Sequence, residues 1–190
     1  MSPLIKKIAI KFGFVLTAFS VSSTFAIYVF NESLLDPILL FNSRWLVVVY
    51  IFAIIAISIF GIRQYKKENG GFATFRESFS AFILPIIFQL VLLLGFNLFF
   101  YNVVDSELNN RNAKRQFELF MHESEDNKDN LKKALKLTSD EEVESFFLQQ
   151  NEAAQTVKGQ LIGQAIWFVF FSIMGLVVAA VTKKNRPEFD

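Results

Sequence analysis

The side chains best suited to metal binding lie together at one point of the sequence. His122, the only histidine, is followed closely by Glu123, Glu125 and Asp126. Structural zinc sites are built mainly from imidazole and thiolate ligands, and a calcium loop needs regularly spaced oxygen ligands that end in a glutamate. Neither pattern is present, and a chain with one His and no Cys offers few pairs of a nucleophile and a base. The sequence therefore predicts no metal site, no catalytic residue, no cofactor and no enzymatic activity.

A second stretch that could do chemistry begins at Gly70 and Gly71, because glycine-rich loops before a helix can hold phosphate groups. Two adjacent glycines also tolerate the positive φ angles of a sharp turn. Thr74 and Glu77 follow with the spacing of a capping box, in which each side chain covers a free backbone amide of the other residue. We therefore interpret this stretch as a tight turn followed by a helix that begins near Phe75.

Three amide side chains, those of Gln89, Asn97 and Gln164, fall in otherwise apolar sequence. An amide in hydrocarbon needs a hydrogen-bond partner, so we predict that each one bonds to a neighbouring helix. The alternative is that they form a polar path between the third and fourth membrane helices of a small transporter or channel component. Ionisable residues inside the membrane mark such paths, and these apolar stretches contain none, so the structural interpretation is preferred.

Pro85, Gly159 and Gly163 are predicted to shape helix packing. Pro85 removes a backbone hydrogen bond and is expected to kink its helix. Gly159 and Gly163 have the Gly-x-x-x-Gly spacing that allows two membrane helices to cross closely. Such a crossing could lie within the chain or between two copies, and packing against the third helix is preferred.

The elements that must position these residues are four long apolar stretches. The chain has 190 residues, of which 53% are hydrophobic and 24 are phenylalanine. Four stretches without charged residues are each close to the roughly 20 residues that cross a membrane: 12–30, 45–62, 79–101 and 161–181. None has a charged face, which argues against a soluble bundle. We predict an all-α fold: a four-helix transmembrane bundle within one integral membrane domain that covers residues 1–190. Asp36 and Pro37 predict a turn between the first two spans.

Residues 102–159 are predicted to form a helical insertion between the third and fourth spans. Ser139 and Glu142 have capping-box spacing, and they precede a stripe with alternating steps of four and three residues: Val143, Phe147, Gln150, Ala154, Val157 and Leu161. The stripe predicts one unbroken helix from about Asp140 to Val181. Shorter amphipathic segments precede it, and only the stretch from Glu123 to Asn130 is predicted to be an ordinary exposed turn.

Basic residues flank the apolar stretches mainly on one side. They lie before the first span, between the second and third, and after the fourth: Lys6, Lys7, Lys11, Arg63, Lys66, Lys67, Arg76, Lys183, Lys184 and Arg186. Because flanking Lys and Arg usually remain in the cytoplasm, we predict that both termini and the loop 63–74 are cytoplasmic and that the insertion is extracytoplasmic. These clusters are explained by topology, so no nucleic acid partner is predicted.

Several of these features occur together in one known family. They are the segments Tyr65 to Phe72 and Thr74 to Phe79, the four spans, the charged insertion and the tail Lys183 to Phe189. In these features the chain resembles the bacterial membrane family catalogued as domain of unknown function 4199. The resemblance implies a small integral protein of the cytoplasmic (inner) membrane, without an assigned activity or functional residues. The family-style Asp-Pro-Glu after the third span is replaced by Asp-Ser-Glu at residues 105–107.

Two functional hypotheses follow. In the preferred one, the protein is a non-catalytic scaffold or accessory subunit that contacts the lipid bilayer and binds a protein partner, or a second copy of itself, through the extracytoplasmic helices. In the other, it is the transporter or channel component described above. Because no catalytic arrangement is recognisable, the biochemical role has to be sought in how the helices are held together.

Overall fold

The computed structural model describes residues 2–31 and 44–186. This part of the chain forms seven α-helices, and the third continues into a π-helical turn at Phe100–Val104. The turn predicted at Asp36 and Pro37 and the last residues of the family-like tail lie outside the described residues. The helices are α1 (Pro3–Asn31), α2 (Arg44–Glu68), α3 (Phe75–Phe99), α4 (Leu108–Met121), α5 (Glu125–Leu135), α6 (Asp140–Gln155) and α7 (Val157–Thr182).

Four of these helices, α1, α2, α3 and α7, are long and apolar enough to cross a membrane. Only 17% of the most apolar window of α1, and the same share of α7, is buried within the protein. Large apolar side chains such as Phe52 and Val181 are 67% and 81% exposed. Apolar surface on this scale is unsuited to water but suits contact with lipid. The predicted all-α fold with four spans is confirmed, and the protein is a multi-pass membrane protein.

The chain divides into two compact units, of which the first comprises Met1–Leu94 and Gln164–Asp190. All four spans contribute side chains to one buried core in this unit, including Ile8, Leu16, Ile54, Ile62, Phe82, Ile86 and Phe171. Two glycines allow the helices to approach closely. A Cβ atom added at Gly13 would lie 2.5 Å from the Phe88 ring, and one added at Gly175 would lie 2.8 Å from the Phe82 ring. Small residues at these positions therefore let α1 and α7 pack against α3.

The second unit, Gly95–Gly163, has a separate core between α4 and α6. Its buried residues are Ala113, Phe120, Val143 and Phe147. Four residues after Phe147 on α6, the Asn151 amide donates a hydrogen bond of 3.0 Å to the Gln116 side chain. The first part of the predicted stripe is therefore used to pack α6 onto α4.

The predicted capping box at the start of α6 is present. The Glu142 backbone amide donates to the Ser139 hydroxyl at 3.3 Å, and the Ser139 amide donates to the Glu142 carboxylate at 3.3 Å. Hydrogen bonds from the backbone amide and the hydroxyl of Thr138 hold the pKa of Glu142 below its ordinary value. The carboxylate thus favours the helix start in its charged form.

The prediction of an exposed turn from Glu123 to Asn130 is wrong, because α5 begins at Glu125. Ser124 has an extended backbone at the N-cap position, a conformation typical of a residue that precedes a helix. Acidic residues occupy the first turn of α5 and basic residues its last turn, an arrangement that complements the helix dipole. The second half of this helix is one of the predicted amphipathic segments, whereas its polar first half lacks the apolar periodicity that would reveal where the helix begins.

The prediction of one helix from Asp140 to Val181 is also wrong, because the chain breaks at Thr156. This residue has φ −67° and ψ 158°. Its hydroxyl donates to the Ala153 carbonyl at 2.7 Å and accepts a hydrogen bond of 3.1 Å from the Gly159 amide. The hydroxyl thereby ends α6 and caps α7, which illustrates how a Thr side chain can compete with helical hydrogen bonding.

This break generates a prediction for the two glycines of the Gly-x-x-x-Gly pair. A Cβ at Gly159 would lie 2.2 Å from the Ala153 carbonyl oxygen, whereas a Cβ at Gly163 would meet no atom of the described chain within 4 Å. We expect Gly159→Ala to lower the free energy of unfolding by about 1–3 kcal/mol through overpacking. Gly163→Ala should be neutral or stabilising by up to about 1 kcal/mol, because Ala favours helices.

Unfolding by dodecyl sulfate in mixed micelles measures both changes. Equal destabilisation by the two substitutions would contradict the described break at Thr156.

Candidate functional site

Two groups of polar contacts hold the first unit together, and one is centred on the glycine turn. Gly70 and Gly71 have φ angles of 71° and 91°, in the left-handed region that favours glycine. The helix α3 begins directly afterwards. The Thr74 backbone amide donates to the Glu77 carboxylate at 2.8 Å, and the Glu77 amide donates to the Thr74 hydroxyl at 3.3 Å. The four residues assigned to a turn and a helix start thus form those structures.

The turn is also connected to the segment that follows the last span. Ala73 and Lys184 form an antiparallel bridge, with hydrogen bonds of 2.9 Å and 2.7 Å between their backbones. The Lys66 ammonium donates to the carbonyl oxygen of Thr182, one of the free carbonyls at the end of α7. A cation near a helix C-terminus is favourable for the helix dipole. These contacts join the end of α7 to the end of α2.

Tyr65, which lies on α2, contributes a further contact to this group. Its side chain is only 1% exposed, and its hydroxyl donates a hydrogen bond of 2.7 Å to Oε1 of Glu77. The other carboxylate oxygen of Glu77 serves the capping box. One carboxylate therefore connects the end of α2 to the start of α3. We refer to the six residues Tyr65, Lys66, Ala73, Glu77, Thr182 and Lys184 as the basal clasp.

The second group lies inside the apolar part of the bundle and is centred on Gln89, whose side chain is 1% exposed. Its amide nitrogen donates to the Ser20 hydroxyl at 2.6 Å, and that hydroxyl is 2.8 Å from the Tyr50 hydroxyl. The three residues, termed the intramembrane triad, come from α3, α1 and α2. The carbonyl oxygen of Gln89 is buried without a hydrogen-bond partner among the described residues. The triad ties three spans together by side-chain hydrogen bonds.

The remaining predicted residues have different surroundings. Asn97 donates a hydrogen bond of 3.0 Å to the side chain of Gln160, so within the second unit α3 is connected to α7. Pro85 is buried in the interior of α3, which continues through it. Gln164 is half-buried on α7. Gly159 approaches the end of α6, as described above, and Gly163 has open space beside it.

Two tyrosines that complete these groups, Tyr65 and Tyr50, were not predicted from the sequence. A tyrosine beside two lysines at a membrane surface is typical of an interfacial anchor, and this was the available indication for Tyr65. The Ala73 and Lys184 bridge has no sequence signature, because a single pair of residues lacks a periodic pattern.

The chemistry available to the two groups is that of hydrogen bonding and ion pairing. The basal clasp contains one carboxylate, that of Glu77, which already accepts hydrogen bonds from the Tyr65 hydroxyl and from the backbone amide and hydroxyl of Thr74. Within residues 2–31 and 44–186 there is no group of three or more His, Cys, Asp or Glu side chains that could hold a metal ion. The arrangement can hold helix ends together and present charge at the membrane surface.

Comparison with known proteins identifies one similarity. A family model described as a protein of unknown function, DUF4199, matches residues 11–184. No curated protein and no solved structure matches the chain. The match spans most of the sequence, including the basal clasp and the intramembrane triad.

The basal clasp gives a prediction for Tyr65→Phe. This substitution removes the hydroxyl that donates to Glu77, and a hydrogen bond to a charged group contributes about 1.5–3 kcal/mol. We expect the free energy of unfolding in mixed micelles to fall by about that amount. Tyr101→Phe is the matched control, because the Tyr101 ring packs against Phe100 and its hydroxyl has no hydrogen-bond partner within residues 2–31 and 44–186. An equally small effect of both substitutions would contradict the clasp.

Proposed function

The chain belongs to the DUF4199 family of proteins of unknown function, and from its own geometry we propose that it is a non-catalytic scaffold or accessory subunit of the cytoplasmic membrane. The observation that carries this proposal is the pairing of polar groups within the spans. Gln89 bonds to Ser20, and Ser20 lies within hydrogen-bond distance of Tyr50. Side chains used in this way hold helices in position, which is the role that a scaffold requires of its polar groups.

The second unit supplies the surface on which a partner would bind. It has a core of its own, so its helices can present a defined surface. Residues 95–163 contain twelve acidic and eight basic side chains, a net charge of −4. Exposed apolar side chains lie among them, including Leu119 and Met121, which are 44% and 42% exposed. A mixed surface of charges around apolar side chains is typical of protein interfaces.

The orientation that we propose follows from charge. Ten basic and two acidic residues lie in three segments, 2–11, 63–77 and 182–186. The basal clasp joins the second of these segments to the third. Under the positive-inside rule this end of the bundle is cytoplasmic. The helices α4 to α6 are then extracytoplasmic, where a partner would meet them.

The transporter or channel alternative has one observation in its favour, the buried Gln89 carbonyl oxygen without a partner. Such an oxygen could accept a hydrogen bond from a polar solute or coordinate a cation. Against it, the charge-free stretches of the four spans lack the ionisable residues that usually serve coupled transport. Solute uptake by proteoliposomes that disappears in Gln89→Leu or Asn97→Leu would reverse our preference.

A single cysteine tests the partner and the orientation together, because the chain has no native cysteine. Asn127 is exposed on α5, and Asn127→Cys can be treated in intact cells with a membrane-impermeant maleimide that carries a photo-cross-linker. We expect labelling, followed by capture of one recurrent protein that mass spectrometry identifies. Asn185→Cys is the matched control at the basic end, and it should react only after the cells are permeabilised.

Each outcome of this experiment has a distinct meaning. Failure to label Asn127→Cys in intact cells, with labelling of Asn185→Cys, would contradict the orientation. Labelling that yields only cross-links between copies of this chain would contradict an accessory role and indicate a homo-oligomer. Labelling without any cross-linked product would contradict a partner surface on α5.

A further inference from the structure

A groove at the basic end of the first unit lies outside both groups of contacts described above. It has a volume of about 560 Å³ and is lined by residues of α1 and α2: Phe12, Phe60, Arg63, Gln64, Lys67 and Glu68. We propose that this groove binds an anionic phospholipid, with its phosphate held by Arg63, Lys67 and the adjoining Lys11. This inference is independent of the proposed scaffold role.

Positive charge is in surplus at the groove. Among the described residues that line it, Glu68 is the only acidic one, and both of its carboxylate oxygens accept hydrogen bonds. Oε2 accepts a hydrogen bond of 3.0 Å from Lys7, and Oε1 accepts one of 2.7 Å from Gln64. Glu68 is therefore already engaged, and Arg63 and Lys67 have no carboxylate partner among the described residues. The four cations Lys7, Lys11, Arg63 and Lys67 against one carboxylate give a local charge of +3.

Three cationic side chains, from α1 and α2, lie beside one another at this groove. Arg63 and Lys67 are four residues apart, so they lie on one face of α2. Lys11 reaches the neighbouring face, where its ammonium donates a hydrogen bond of 2.8 Å to Gln64. The three cations that lack a carboxylate are thus arranged around one opening, which suits a group with several anionic oxygens.

The apolar part of the groove favours a lipid over a free anion. Phe12 and Phe60 line it, and the cations of Lys11 and Arg63 lie 5.5 Å and 5.7 Å from the centres of these two rings. Phe12 is the first residue of one charge-free stretch, and Phe60 is near the end of another. The groove therefore lies where hydrocarbon meets headgroups. An acyl chain can contact the Phe60 ring, which is 57% exposed, while the phosphate meets the cations.

Native mass spectrometry of the purified full-length chain in mild detergent tests this proposal. The protein is titrated with phosphatidylglycerol or with phosphatidylcholine of the same acyl chains, and we expect tighter binding of phosphatidylglycerol. A cation near an anionic lipid surface contributes about 1 kcal/mol, which corresponds to about fivefold in affinity. The double substitution Arg63→Gln with Lys67→Gln should therefore weaken phosphatidylglycerol binding about 25-fold.

The control variant removes the same charge from the same end of the protein. Lys6 and Lys183 are exposed and lie outside the lining, so Lys6→Gln with Lys183→Gln should change the affinity by no more than about threefold, as expected for distant screened charges. The charge-conserving pair Arg63→Lys with Lys67→Arg should retain binding. Retention would show that the loss in the first variant reflects charge and not misfolding.

Three results would overturn the proposal. Equal weakening by the groove variant and the control would mean that attraction is diffuse over the basic end. Equal affinity for the two lipids would remove the role of the cations. Displacement of phosphatidylglycerol by inorganic phosphate at the same concentration would identify a site for free phosphate instead of a lipid.

Discussion

The hydrogen bond between Gln89 and Ser20 is the interaction on which the packing of the spans depends. Inside hydrocarbon no water replaces a missing partner, so an amide on α3 has to be satisfied by a neighbouring span. Tyr50 extends the contact to α2. These hydrogen bonds require α1 and α3 to lie close together. Gly13 allows the approach because it leaves room for the ring of Phe88, the residue before Gln89. Packing at Gly13 and hydrogen bonding at Ser20, about two turns further along α1, therefore support each other.

At the basic end, the last turns of α2 serve two different purposes. Tyr65 and Lys66 face the protein, where they join the start of α3 and the end of α7. Arg63 and Lys67 line the groove beside α1. Neighbouring residues of α2 thus have different roles. Some hold the bundle together, and the others carry the charges that face the membrane surface. This division explains why so many basic residues can be accommodated in a short stretch of sequence.

Features governed by local chemistry were predictable from the sequence. The four spans follow from the length of the charge-free stretches, and the capping boxes at Thr74 and Ser139 follow from the spacing of two side chains. Features that depend on distant residues were not. Tyr65 meets Glu77, and Ala73 meets Lys184, only after the helices have packed. The break at Thr156 was missed because the apolar stripe continues through it, while the hydrogen bonds of one hydroxyl decide the backbone conformation.

A double-mutant cycle between Ser20 and Gln89 tests most directly whether the intramembrane amide holds the helices together. The free energy of unfolding in mixed micelles is measured for Ser20→Ala, Gln89→Leu and the double variant. Hydrogen bonds between membrane helices contribute about 0.6 kcal/mol on average and at most about 1.7 kcal/mol, and we predict a coupling energy in that range. Additive effects, with a coupling below about 0.3 kcal/mol, would contradict the account.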